Sequence, residues 1–220
     1  MPMKISRSNQ RNHGLTMLES MVVIFSLFIL VAVLLPALGA AASKRKSIGC
    51  INHLGQIGMS FRVWAGDHRD KYPMGTSVTN GGVMELASLG NAGPIFQAMS
   101  NELSSPKILV CPADKSRLPL PNFNFRLTSK NLSYFVNVDA SEANPQEILA
   151  GDDNLAIHGV RVKSGWLDLS SNSPAVWTPA RHGFRGNVAH ADGSVQAMNN
   201  STLRHWFDST NSAGITLAIP

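Results

Sequence analysis

From Met21 to Leu38 the chain presents 18 residues whose apolar character is interrupted only by Ser26 and Pro36. A helix from Leu15 to Ala42 would be roughly 40 Å long at 1.5 Å per residue, enough to cross a bilayer. Beyond it, Ile48, Ile51, Leu54, Ile57, Phe61 and Trp64 recur every three or four residues. That period predicts that the helix continues to residue 68, with one apolar stripe facing a core. Gly49, Gly55 and Gly58 weaken this helix in isolation and predict close packing against another element. "AGDHRDKYP" then supplies the breaker, with Pro73 as the stop.

The rest of the chain reads as short elements. A helical piece near 83–89 and a second at 94–103, with Pro94 at its first position, lie among Gly- and Ser-rich turns. "KILVCP" (107–112), "LSYFVNVDA" (132–140) and "EILAGD" (147–152) read as strands. "NVAHADGSVQAM" (187–198) reads as a hairpin around Asp192-Gly193, a pair suited to a type I′ turn with positive φ at both central residues. "TLRHWFDS" (202–209) is helix-like, and "ITLAIP" is a last strand or a loose end. The fold class is α+β: a long N-terminal transmembrane and stalk helix packed on a small antiparallel sheet.

Charge changes the picture little. Three of the five net positive charges belong to Lys4, Arg7 and Arg11 in the acid-free segment 1–14. The basic balance is therefore local and does not point to nucleic acid. Arg161, Lys163, Arg181 and Arg185, with Trp166, are scattered and mixed with Asp168, so they read as a solvated face.

Glu19 is the anomaly, an ionisable group inside an apolar run, and such groups are costly and usually functional. A secretory signal cut within "ALGAAAS", or a plain anchor with Glu19 reaching the headgroups, would each accommodate it. Lys44, Arg45 and Lys46 match the basic residues on the other side, so loop charge leaves the orientation open. The basic leader ending in Gly14, followed by Leu-Thr-Met-Leu-Glu and an apolar helix, resembles the type IV prepilin signal of pilins and type II secretion pseudopilins. That resemblance implies cleavage at Gly14–Leu15 by a prepilin peptidase, methylation of the new N-terminus, and Glu19 as the fifth mature residue. Leu15 stands where the family usually has Phe. Pro36 falls where many pilin helices carry a proline that kinks or melts the helix. The new ammonium at Leu15 could pair with Glu19 in the same helix or in a neighbouring subunit, fixing axial register.

Four stretches, "CINHLGQIGMSFRVWAGDHRDKYP", "ILVCPAD", "LSYFVNVDASEANPQEILAGDDN" and "RHGFRGNVAHADGSV", extend the likeness. In this order they resemble a group of G-type pseudopilin-like proteins with a C-terminal H-x9-D-G signature, here His182, Asp192 and Gly193. The implied organisation is a prepilin leader (1–14), a transmembrane and assembly helix (15–42), a stalk helix (43–70) and a periplasmic α+β domain (71–220). The implied location is the inner membrane, single-pass, with the domain in the periplasm or on a fibre. The implied partners are other pseudopilins or copies of itself.

Candidate chemistry is thin. His182, His190 and Asp192 could bind a transition metal, and Asp-rich loops calcium. G-type pseudopilins hold calcium in a C-terminal loop, but the dense run of Asp and Asn is missing here. The turn is instead expected to be structural, with Asp192 serving it and His182 supporting it from the other end of the strand, and no cofactor is expected. No P-loop, G-x-G-x-x-G or G-x-S-x-G is present, so an enzyme is not expected. Cys50 and Cys111 could pair outside the cytoplasm, tying the helical spine to "KILVC", or remain two buried thiols; the sequence leaves both open. The expected function is a fibre subunit. A monomeric, membrane-anchored binding module is the alternative.

Overall fold

Helix α1 runs from Met17 to Asp67. The structure, a computed structural model, describes residues 16–169, 175–209 and 214–220, with the side chains of 36–43 left aside. Its contacts divide the chain into two units, Met1–Ser43 and Lys44–Pro220.

In the first unit, Met17–Leu35 is apolar enough to span a membrane or to be a signal sequence, with mean hydropathy 2.7 and none of it buried. Its hydroxyls do not spoil that surface. Ser26 Oγ donates to the Val23 carbonyl at 2.9 Å and Ser20 Oγ to Thr16 at 3.2 Å, so both are satisfied by their own helix. The helix is unbroken at position 36.

In the second unit, α1 buries Cys50, Leu54, Ile57, Phe61, Trp64 and Ala65. These positions follow the 3.6-residue period, but the stripe differs from the expected one at its start. Ile48 is exposed and Ile51 only half-buried, and Cys50 occupies the core face. The glycines do permit close approach. A Cβ on Gly58 would lie 3.5 Å from the Gly193 Cα, and one on Gly49 would lie 3.0 Å from Pro112 Cγ.

Short helices follow: α2 (Met84–Ala87), α3 (Ala92–Ala98) and α4 (Ser100–Leu103). Asn91 caps α3 by accepting from the Gly93 amide, 2.9 Å away. The expected strand at "KILVCP" is a 3-10 helix, Pro106–Leu109. Pro106 sits at its start and Ser105 accepts from Lys107, and a fixed φ with a side-chain cap favours a helical turn over extension.

The strands are β1 (Tyr134–Asn137), β2 (Ile148–Asp152), β3 (Leu155–Ile157), β4 (Val160–Arg161), β5 (Gly165–Leu169), β6 (Ala175–Trp177), β7 (Arg185–His190), β8 (Val195–Asn199) and β9 (Ile215–Ile219). Helix α5 (Asn200–Ser209) joins β8 toward β9. Among the described residues, six strands form an antiparallel sheet in the order β5-β9-β1-β2-β7-β8, and β4-β3-β6 form a second, smaller one. The segment "ITLAIP" is thus an interior strand, paired with β5 and β1.

Every residue of β1 and β2 is buried, because the large sheet is covered on both faces. Tyr134 and Val136 pack into the core built on α1, whereas Phe135 packs with Trp177, Val188 and Leu217 in a second core. The single helix-on-sheet packing expected from the sequence is therefore incomplete. A layer from β6, α5 and their neighbours closes the other face.

The β7–β8 turn also differs from expectation. Gly193 donates to the His190 carbonyl at 2.9 Å and His190 to that of Ser194 at 2.9 Å. Gly193 has φ +85°, while Asp192 is not among the described residues with positive φ. This is the three-residue loop in which a type I turn ends in a left-handed glycine, so only one of the two positions needs that conformation.

Candidate functional site

Two arrangements carry unusual polar chemistry, one in each unit. In the first, Glu19 Oε2 accepts from the Thr16 amide at 2.8 Å and from its hydroxyl at 2.9 Å. Thr16 Oγ accepts in turn from the Glu19 amide at 3.3 Å. This is a capping box, in which a hydroxyl and a carboxylate three residues apart satisfy each other's free amide at a helix start. The expected pairing of Glu19 concerned the Leu15 ammonium, and the T-x-x-E spacing was the signal for this nearer partner. Gly14 and Leu15 lie outside the described residues, as does the side chain of Pro36.

In the second unit a buried ionic cluster surrounds the link between α1 and the 106–112 segment. Cys50 and Cys111 form a disulfide, with Cα atoms 5.1 Å apart. The backbone beside it is fixed by the Ser133 amide donating to Leu109 at 2.9 Å and by a His53 Nδ1 contact with the Val110 carbonyl at 3.1 Å. His182 Nε2 stands 3.4 Å from Cys111 Sγ and 3.5 Å from Asp152 Oδ2.

The cluster holds three carboxylates and two guanidiniums. Arg181 pairs closely with Asp153 and approaches Asp114 at 3.4 Å and Asp152 at 3.8 Å. Arg117 reaches Asp153 at 2.5 Å and Asp114 at 3.5 Å. All these side chains are nearly or fully buried. Unpaired burial of any one would be costly, and the mutual pairing makes it tolerable. Arg181 also donates to the Ser133 carbonyl at 3.0 Å, tying β1's approach to the segment before β7.

Environment tunes the cluster's members differently. Burial raises the Asp114 carboxyl, but hydrogen bonds from Ser116, the charge of Arg181 and the Ser133 hydroxyl outweigh it and hold the group below its ordinary value. Burial lowers Arg181, opposed by Asp152 and Asp114. The Tyr134 hydroxyl is pushed well up, first by burial and then by the Asp152 charge. Asp152 is held through Oδ2, which accepts from the Asn187 amide at 2.8 Å and from its Nδ2 at 2.9 Å. Its Oδ1 is buried and accepts no hydrogen bond among the described residues.

Of the three weak metal candidates, the structure places His182 apart from His190 and Asp192, which share the β7–β8 turn. His182 belongs to the cluster. His190 Nδ1 contacts the Gln146 carbonyl at 2.9 Å, and Asp192 Oδ1 accepts from the Ser194 amide at 2.8 Å. Asp192 therefore organises the turn. Among the described residues, the ligand-bearing side chains gathered within 4.8 Å of one another are Cys50, Cys111, Asp152 and His182. Sequence reading missed Asp114, Asp152, Asp153, Arg117 and Arg181 as a set. The adjacent pair Asp152-Asp153 in an otherwise apolar strand was the available signal.

No family model, characterised protein or solved structure matches this chain.

Proposed function

We propose that this chain is a non-enzymatic, pseudopilin-like subunit, cut between Gly14 and Leu15 and assembled through its N-terminal helix into a type II secretion or type IV pilus-like fibre. The observation that carries the reading is the Met17–Leu35 surface, apolar but for Glu19 and two serines, unburied, and headed by the Thr16–Glu19 cap. In this reading the inner membrane stores the monomer by covering that surface, and neighbouring helices cover it in the fibre. Cleavage would create an ammonium at Leu15, one residue before Thr16. Glu19, already oriented toward the helix start by its cap, would gain a cationic partner in its own turn or on the adjoining subunit. The Lys44–Pro220 unit would then be the displayed periplasmic surface.

Intact-mass measurement on membrane-extracted protein tests the processing step. The expected mature chain begins at Leu15 with a methylated amine, and a start near Ala42 or Ser43 would overturn the reading. Cross-linking in cells tests assembly. Glu19→Val should leave the chain membrane-held but abolish the oligomer ladder. An unchanged pattern of monomers in both proteins would favour an anchored binding module.

A further inference from the structure

We infer that, when the Cys50–Cys111 bridge is reduced, the two thiolates, His182 Nε2 and the Asp152 carboxylate form a four-ligand site for a divalent zinc-like cation. This inference rests on the Lys44–Pro220 unit alone and is independent of the fibre reading.

Geometry comes first. Tetrahedral zinc, with bonds of about 2.0–2.3 Å, sets its ligand atoms roughly 3.3–3.8 Å apart. His182 Nε2 already lies 3.4 Å from Cys111 Sγ and 3.5 Å from Asp152 Oδ2. All four ligand atoms lie within 4.8 Å of one another, so reduction lets the two sulfurs part and the remaining pairs close by about 1 Å at most. Two sulfurs, an imidazole and a carboxylate make a donor set suited to zinc.

The second observation is Asp152 itself. It is fully buried, and Asn187 fixes it through Oδ2, an orienting contact of the kind that supports metal ligands. The oxygen that faces His182, at 3.5 Å, is this Oδ2, whereas Oδ1 has no hydrogen-bond donor among the described residues and meets the Arg181 guanidinium at 3.8 Å. Asp114 and Asp153 both have closer guanidinium contacts, which leaves Asp152 as the most weakly paired of the three carboxylates.

Charge balance is the third argument. The three carboxylates and two guanidiniums sum to a single negative charge. Replacing the neutral disulfide by two thiolates and one divalent cation leaves that charge unchanged. Two bare thiolates would instead add two buried negative charges. The exchange balances: the bridge plus two electrons and two protons from a small dithiol gives two thiols, which lose two protons as the cation binds. Oxidation by a disulfide compound reverses it, forming the Sγ–Sγ bond, reducing the oxidant to two thiols and expelling the cation. The same two chain segments are joined in both states, covalently in one and through metal in the other.

The test uses the full chain in detergent micelles, reduced by a dithiol in denaturant, cleared of small thiols and refolded with or without cobalt(II). The expected result is one cobalt per reduced chain, with thiolate-to-metal charge-transfer absorption and a tetrahedral ligand-field band, displaced by zinc and absent from the oxidised chain. His182→Ala, checked for native circular dichroism, should bind roughly tenfold more weakly or worse and lose the tetrahedral spectrum. If the reduced chain refolds only when metal is added, that also supports the site. The inference is overturned if the reduced chain takes up no stoichiometric cobalt. It is equally overturned if the oxidised chain binds as well, or if His182→Ala leaves affinity and spectrum unchanged.

Discussion

Gly58, in the core-facing half of α1, lies against Gly193 of the β7–β8 turn: a Cβ on Gly58 would sit 3.5 Å from the Gly193 Cα and 3.7 Å from the Ala189 Cβ. Those are ordinary contact distances, so one methyl group fits and a larger side chain does not. Gly58→Ala is expected to be neutral or to stabilise by up to about 1 kcal/mol through helix propensity. Gly58→Leu should lower the melting temperature by forcing the hairpin off the helix. Thermal melts of both full-length variants in detergent check the opposite signs.

On the other side of that contact, Gly193 holds φ +85°. A β-branched residue resists that conformation, and Gly193→Val should cost roughly 1–3 kcal/mol. Gly193→Asn should cost less, because asparagine tolerates the left-handed region. Equal losses for the two would show that side-chain bulk, with Arg62 Cδ 3.5 Å from the added Cβ, matters more than φ.

Arg181 is the hub of the buried cluster, facing Asp114, Asp152 and Asp153. Arg181→Met removes the guanidinium and strands buried carboxylates, with an expected loss of about 3–5 kcal/mol. A melting temperature lowered by roughly 10 °C or more would register it. Exposed Arg62, whose nearest carboxylate contact is Glu142 at 3.7 Å, serves as the control, and Arg62→Met should change little.

Acid should weaken the fold through Asp114. Its folded value lies below the ordinary 3.8, so its contribution is present in full above that value and lost as pH falls through the folded one. Asp114→Asn should start less stable at neutral pH, yet lose less stability between about pH 5 and pH 2. Parallel curves for the two proteins would assign the acid response to other groups.

The disulfide closes a loop between residues 61 apart in sequence. Chain-entropy models give such a loop about 4 kcal/mol, so Cys50→Ala/Cys111→Ala, measured with chelator present, should fall by an amount of that order. Chemical denaturation of this variant and of the oxidised wild type measures it.

Glu19→Gln separates two roles of one side chain. Glutamine can still accept from the Thr16 amide, as in other capping boxes, but carries no charge. If the proposed assembly depends on a Glu19–ammonium pair, this variant keeps the helix and the membrane location and loses the cross-linked oligomers. Thr16→Val, which breaks the box and keeps the charge, should loosen only the first turn and keep the membrane location and the cross-linked oligomers.

The sequence by itself determined the elements that obey a short-range rule. The apolar span, the α1 period through Leu54, Ile57, Phe61 and Trp64, and the hairpin about Asp192-Gly193 all follow from local spacing. So does the Thr16–Glu19 box, whose partners are three residues apart. Only the tertiary structure decided what depends on distant partners. "ITLAIP" becomes an interior strand because β1 and β5 offer it free edges, and "KILVC" bends into a 3-10 turn that brings Cys111 to Cys50. The buried cluster is the clearest case. Asp114, Asp152, Asp153, Arg117, Arg181 and His182 come from three stretches of chain, and each is an unremarkable surface residue by type. Folding takes them all out of water at once, and a buried charge is bearable only where an opposite one is brought to it.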